Sequence, residues 1–148
     1  MRKAFLLNFL WITIVGCQAQ LGPGYSFNLF ESTPNYALAK AVAKEDTNEI
    51  RNIVNKGDIN VDFKEPKFGT TLLLLAIGNN KINSTTALLN AGANIGIRDN
   101  DNNAPINEAS KLFLYEDYSY AYNMLDLLIK HGANVNSEIK GVIDSSYY

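Results

Sequence analysis

The feature that most constrains the fold of this chain is a short glycine-centred unit that recurs along the sequence. Residues 90–95 read Asn-Ala-Gly-Ala-Asn-Ile and residues 130–136 read Lys-His-Gly-Ala-Asn-Val-Asn, with a degraded version at 55–60. The three glycines are about 35 and then about 40 residues apart. A sequence period of about 20 to 50 residues is typical of stacked repeat arrays. The spacing therefore predicts that the chain folds as a series of similar units.

Each glycine follows an apolar pattern with helical spacing. A helix with such a buried stripe needs a neighbouring element to cover it. Glycine readily adopts the left-handed conformation that ends a helix, and the polar residue and Ile or Val that come next favour an extended exit. Each unit is therefore predicted to close with a helix, a glycine turn and a short extended finger. The apolar positions are Ile50, Ile53 and Val54, then Ala87, Leu88 and Leu89, then Met124, Leu125, Leu127, Leu128 and Ile129.

A second, shorter helix is predicted ahead of each of these, at residues 36–44, 71–79 and 104–111. A hydroxyl precedes Leu72, and Pro105 falls in a first helical turn, where its missing N–H costs nothing. Small residues recur on these helices and allow neighbouring helices to approach closely. They are Ala41, Ala76 and Ala109.

These motifs resemble those of ankyrin repeat proteins. Residues 69–76, Gly-Thr-Thr-Leu-Leu-Leu-Leu-Ala, match the family pattern G-x-T-P-L-H-L-A, with Leu72 for Pro and Leu74 for His, and 104–109 is a weaker copy. Gly-Ala-Asn followed by Ile or Val stands twice for the family's G-A-D-V. The resemblance implies an all-α ankyrin repeat solenoid of about three helix-turn-helix units with extended fingers. It covers residues 34–136, divided at about 34–61, 62–98 and 99–136.

The N-terminus has the pattern of an export signal. Residues 1–16 combine Arg2 and Lys3 with a short apolar run, which is too short to span a membrane and is typical of a signal peptide. Ile-Val-Gly-Cys at 14–17 resembles the lipobox of bacterial lipoproteins, and this resemblance implies diacylation of Cys17, the only cysteine. Ordinary cleavage after Ala19 is the alternative. The predicted location is the bacterial envelope, with a lipid anchor facing the periplasm, or otherwise the periplasm or the medium.

Two segments flank the predicted repeats. Residues 17–33 contain glycine and proline and are predicted to form a tether or an N-terminal cap, while 137–148 form a C-terminal tail. In the cap interpretation, several apolar side chains of this segment pack on the first repeat. They are Tyr25, Phe27, Leu29 and Phe30.

The third unit is about seven residues longer than the family norm, and the extra residues are predicted around Leu112 to Tyr120, followed by Tyr122. In one interpretation this aromatic and acidic stretch lengthens the third helix pair and covers the end of the array, since terminal repeats must hide an apolar face. In the other it is an exposed tyrosine-rich anchor for a partner.

Several classes of function are disfavoured. Without Arg2 and Lys3 the formal charge of −2 becomes −4, and no basic cluster remains to bind nucleic acid. The lone His131 makes no metal or acid–base site by itself, and residues 99–103 lack the glycine and the glutamate that a calcium loop requires. Catalytic and phosphate-binding motifs are missing as well. The prediction is a non-catalytic chain without cofactor, metal or small-molecule substrate.

By resemblance, the binding surface for a partner protein is the concave face built by fingers and short helices. Phe63 and Phe68 are predicted as energetic anchors, with neighbouring charges setting specificity. The full predicted set is Phe63, Lys64, Glu65, Lys67 and Phe68 on the first finger, Arg98, Asn100, Asp101 and Asn102 on the second, and Leu74 and Asn107 on the short helices. Three roles fit this prediction: an envelope adaptor, an immunity-type inhibitor of a periplasmic toxin, and a structural lipoprotein without a dedicated partner.

Overall fold

The computed structural model describes residues 23–115 and 117–135, and every element of regular secondary structure within them is a helix. Two 3₁₀ turns at Pro23–Tyr25 and Phe27–Phe30 come first. Six helices follow: α1 Tyr36–Ala43, α2 Thr47–Asn55, α3 Leu72–Gly78, α4 Ile82–Asn90, α5 Pro105–Tyr115 and α6 Tyr118–Lys130. The predicted signal peptide, Cys17 and the predicted tail all lie outside the described residues.

The helices pair in chain order and stack in two layers. Each repeat packs its two helices together, as α1 with α2, α3 with α4 and α5 with α6. Between repeats, α3 packs on both α1 and α5, and α2 packs on α4. We call α1, α3 and α5 the inner layer, and the second helices the outer layer. The array of helix pairs predicted from the glycine period is confirmed.

The helix boundaries follow from local chemistry. The side chains of Asp46 and Thr71 accept the N–H groups of Glu49 and Leu74, at 3.0 and 3.3 Å, and so cap α2 and α3. At the other end, the outer helices finish in left-handed glycines, with φ of 77° at Gly57, 89° at Gly92 and 92° at Gly132. The predicted glycine turns are confirmed.

The core lies between the two layers and reaches from the second 3₁₀ turn to α6. Within it, the small residues Ala41, Ala76 and Ala109 are buried, as predicted for close helix contacts. The largest core side chains are fully buried, among them Phe30, Leu38, Ile50, Leu75, Ile77, Leu88 and Leu128. Among the described residues, no helix is long and apolar enough to cross a membrane.

The extra residues of the third repeat lie within its helices. The α5 and α6 helices have 11 and 13 residues, whereas the other four have 7 to 9, so the predicted lengthening of this pair is confirmed. Phe113 packs against the rings of Tyr118 and Tyr122, at centroid distances of 5.9 and 5.1 Å. Both tyrosines nevertheless stay exposed, at 67% and 64%.

Candidate functional site

The first finger, residues 58–71, is shaped by one buried carboxylate. Glu65 is 1% exposed, and its side chain accepts the backbone N–H groups of Lys67, Phe68 and Thr70, at 2.8, 2.6 and 3.3 Å. The backbone of Glu65 also bonds to Thr70 and Gly69. Glu65 was predicted to contact a partner, but its burial leaves almost no surface for that contact. Glu65 instead stabilises the loop through these hydrogen bonds.

The two predicted anchor rings have different surroundings. Phe63 is half-buried and packs edge-to-face against Phe30, with centroids 6.2 Å apart. Phe68 is also half-buried but borders the open groove described below, and the Lys67 ammonium lies 4.9 Å from its ring centroid. Lys64 and Lys67 are exposed. Phe68 is therefore better placed than Phe63 to contact another protein.

The second finger, residues 93–104, is organised by Asp99. One oxygen of Asp99 accepts the N–H groups of Asp101 and Asn103, at 2.9 and 2.8 Å. This turn leaves Asn100, Asp101 and Asn102 exposed, while Arg98 is half-buried and donates to the carbonyl of Asn102 at 2.9 Å. Sequence reasoning gave Asp99 no place in the site, although an aspartate that bonds to the N–H two residues later is a common turn former.

The fingers are tied to one another by hydrogen bonds. The N–H of Asn94 donates to Asp62 at 2.8 Å, and the N–H of Asn100 donates to the carbonyl of Phe68 at 2.9 Å. The second bond runs beside Gly69, where an added Cβ would lie 2.2 Å from the side-chain oxygen of Asn100. The exposed residues predicted on the two fingers are therefore held next to each other.

The two predicted residues on the inner helices are largely covered. Leu74 is 3% exposed. Asn107 is half-buried, and its side-chain oxygen accepts the N–H of Ala104 at 2.9 Å, at the start of α5. Leu74 lines the groove described below, as predicted for the finger face, yet both side chains offer little open surface to a partner.

A groove runs between the fingers and the inner layer. It contains a cavity of about 150 Å³ bordered by Phe68, Leu75, Asp99, Asp101, Asn103, Glu108 and Lys111, together with Gly24 and Tyr25. Glu108 and Lys111 are one helical turn apart on α5 and form a close ion pair, and Lys111 also donates to Asn103 at 3.2 Å. Glu108 is only 4% exposed and lies at the base of the groove, whereas Lys111 is partly open to solvent.

The N-terminal arm, residues 23–30, enters this groove at Gly24 and Tyr25. The hydroxyl of Tyr25 donates to Glu108 Oε2 at 2.9 Å, and the carbonyl of Tyr25 accepts the side-chain amide of Asn79 at 3.0 Å. The ring lies against Gly78, where an added Cβ would be 2.5 Å from Tyr25 Cε1. Sequence reasoning expected Tyr25 to pack on the first repeat, and this was wrong, because Tyr25 contacts the second and third repeats. The cap interpretation holds for Phe27, Leu29 and Phe30, which join the core beside α1.

Two pKa values in the groove follow from these contacts. Burial, and then the charge and hydrogen bond of Glu108, raise the pKa of the Tyr25 hydroxyl, with a smaller opposing effect of Lys111. Burial alone would lower the pKa of Lys111, but the hydrogen bond and charge of Glu108 outweigh it, so the pKa of Lys111 is raised. Both groups therefore keep their protons at neutral pH.

The hold of Tyr25 on the groove is expected to weaken in alkali. A tyrosine outside a folded chain titrates at about pH 10. Because the docked arm favours the protonated phenol, its contribution to stability is fully present below that pH and is lost as pH rises through the raised pKa. The charged groups that line the groove with Tyr25 are Glu108, Lys111, Asp99 and Asp101.

Ultraviolet titration of phenolate absorbance, with the signal of Tyr25→Phe subtracted, should give a titration midpoint for Tyr25 above the mean midpoint of the other tyrosines. A midpoint at or below that mean would contradict the docked arm.

The described residues show no grouping of three or more His, Cys, Asp or Glu side chains suited to a metal ion. His131 is exposed at the third glycine turn, where its ring contacts the carbonyl of Leu127 at 2.9 Å and the side chain of Asn90 at 3.4 Å. These contacts link the outer ends of the second and third repeats.

Comparisons with known proteins agree with this architecture. No protein-family model matches the chain, and no curated protein matches it. Among solved structures, it is similar to the crystal structure of EF0377, an ankyrin repeat protein, with a TM-score of 0.52 and 23% sequence identity. The match covers 68% of this chain and 47% of that protein, so the chain matches about half of its length. The likeness shows that the chain has an ankyrin repeat fold, and the predicted fold class is confirmed.

Proposed function

We propose that this chain is an exported, non-catalytic module of the bacterial cell envelope that binds a partner protein on the face formed by the fingers and the inner layer. The observation that carries the proposal is the pairing of two fixed fingers beside one groove. The bond from Asn100 to Phe68 brings the exposed residues Lys67, Asp101 and Asn102 into a single surface. A surface that is ordered before binding loses little conformational entropy when a partner docks.

Phe68 is the proposed centre of the binding surface. It is partly exposed, borders the groove and has charged neighbours in Lys67 and Asp101. Half-buried aromatic side chains flanked by charges are common among the residues that dominate binding energy, because the ring is desolvated while the charges select the partner. Lys64 and Asn102 extend the same surface at its edges.

The proposal is tested by capturing the partner from the native envelope. The full-length chain is crosslinked in place, and bound proteins are identified by mass spectrometry. Phe68→Ala combined with Lys67→Glu should weaken capture about 30-fold or more, because loss of an energetically dominant aromatic costs about 2 kcal/mol or more. A secreted toxin as the captured protein would assign the immunity role, and an envelope protein would assign the adaptor role.

The matched control is a double variant on the third repeat that likewise removes one aromatic side chain and reverses one positive charge. Tyr122→Ala combined with Lys130→Glu alters exposed residues of α6 and should leave capture unchanged. Thermal unfolding of both double variants verifies that each is folded. If only the control loses the partner, the site is the tyrosine-rich surface of the third repeat. If no protein is enriched by the unmodified chain, the binding proposal is wrong and a structural lipoprotein is the better account.

The same experiment includes Cys17→Ser, because we propose that Cys17 carries a lipid. The arm begins at Pro23, six residues after Cys17. Even fully extended, six residues span only about 20 Å. A lipid on Cys17 would therefore hold the finger face close to the membrane surface. Membrane fractionation should find the unmodified chain in the membrane pellet and Cys17→Ser in the soluble fraction.

A further inference from the structure

The groove beside the fingers is already occupied by a side chain of the same molecule. Tyr25 reaches from the N-terminal arm to α5, 83 residues further along the chain. Three features hold it: the Glu108 carboxylate accepts its hydroxyl, Gly78 leaves room for its ring, and Asn79 donates to its backbone carbonyl. The face proposed to receive a partner is therefore partly filled by the arm.

Two of these three contacts are selective for one type of residue. A phenylalanine would leave Glu108 without the phenol donor, and a larger ring would meet the backbone at Gly78. The side-chain amide of Asn79 donates to a backbone carbonyl, which every peptide segment has, so this contact does not depend on residue type. Together they form a subsite for a tyrosine in an extended segment, whether that segment belongs to this chain or to another.

The arm is held there by Tyr25 much more weakly than by its other end. Phe30 is fully buried, whereas Tyr25 is only partly buried and its neighbour Ser26 is exposed. Gly24 meets nothing within 4 Å of the place of an added Cβ. Residues 24–26 can therefore leave the groove while Phe30 remains packed beside α1.

The cavity next to Tyr25 indicates what a better ligand would carry. Gly24 borders the cavity of about 150 Å³ and has no side chain to fill it. The carboxylates of Asp99, Asp101 and Glu108 border the same space, against the single ammonium of Lys111. A cationic side chain just before the tyrosine would find volume and opposite charge there.

We infer that Tyr25 is a built-in competitor, and that the subsite formed by Gly78, Asn79 and Glu108 receives a tyrosine of the partner protein, preceded by Lys or Arg, when the arm swings out. This inference rests on the proposed function for the existence of a partner. The subsite itself can be tested without that partner. While the arm is docked, it lowers the apparent affinity of the groove for every ligand. A partner that supplies the positive charge of a Lys or Arg before its tyrosine is favoured over ligands that do not.

The test uses three fluorescent heptapeptides with the sequence of residues 22–28: one unchanged, one with Gly24→Arg and one with Tyr25→Phe. They are titrated into the purified full chain and into Tyr25→Ser, in which no side chain fills the place of the ring and hydroxyl. Because an occupied site lowers apparent affinity by the fraction that is open, the peptides should bind Tyr25→Ser about tenfold more tightly than the unmodified chain. The Gly24→Arg peptide should bind more tightly than the unchanged peptide, and a peptide with Tyr25→Phe more weakly.

A second variant locates the binding. Gly78→Ala in the Tyr25→Ser chain places a methyl group where the ring would lie and 3.3 Å from Glu108 Oε2, so it should abolish peptide binding, and thermal unfolding verifies that the variant is folded. Equal binding by the unmodified chain and Tyr25→Ser, or full binding to the Gly78→Ala variant, would overturn the inference. Peptide binding without any partner captured from the envelope would instead count against the proposed function alone.

Discussion

Replacing Phe30 with alanine is expected to lower the free energy of unfolding by about 3–5 kcal/mol, the usual cost of truncating a fully buried phenylalanine. Phe30 is 0% exposed and lies beside α1 with its ring against Phe63. The loss is a large part of the total stability of a small domain, which is about 5–15 kcal/mol. Urea unfolding followed by far-ultraviolet circular dichroism measures the change.

The matched control for this prediction is Phe27→Ala. Phe27 is the same residue type in the same 3₁₀ turn, but it is only partly buried. Its truncation should cost clearly less than that of Phe30. If both variants unfold at the urea concentration of the unmodified chain, the arm contributes no stability and behaves as a tether.

The second large effect is expected at Glu65. Glu65→Ala removes the buried acceptor of three N–H groups in a partly buried loop, and a donor left without a partner away from water costs about 1–3 kcal/mol. We expect a loss of about 3 kcal/mol in the free energy of unfolding, measured by the same urea titration. Glu65→Gln keeps the shape and one acceptor oxygen, so its loss should be intermediate.

Lys64→Ala is the control for Glu65→Ala, since Lys64 is the exposed neighbour on the same finger and should change stability by no more than about 0.5 kcal/mol. If Glu65→Ala were as mild as Lys64→Ala while capture of the partner disappeared, Glu65 would act as a contact residue. We expect the opposite pattern, in which any loss of capture follows the loss of loop structure.

The helices and turns could be predicted because their causes are local in sequence. The apolar stripe of α6 and the glycine at 132 lie within a few residues of the structures that they determine. The lengthening of the third pair of helices could be predicted for the same reason, because the stretch from Leu112 to Tyr120 contains no glycine or proline that would end a helix.

The site was harder to predict for two reasons. Some of its contacts join residues that are distant in sequence, and others bury a residue type that is usually exposed. Glutamate is rarely buried, so a Glu in the run Lys-Glu-Pro-Lys is expected on the surface. Only the folded loop brings three N–H groups to Glu65. Likewise, no residue near Tyr25 in the sequence indicates that its hydroxyl bonds to Glu108. The one available sign was Gly78, since a glycine inside a helical pattern costs stability and usually has a packing reason.

The reach of the arm also changes how the molecule can come apart. In a repeat array each unit normally contacts only its nearest neighbours, so terminal units can unravel while the rest stays folded. Here Phe30 is fixed beside the first unit and Tyr25 bonds to the third. The arm thus connects the two ends of the array, and the third unit cannot open fully unless the arm detaches from it. The Tyr25 bond therefore adds a link between the first and third units, which in a simple row of repeats would meet only through the second.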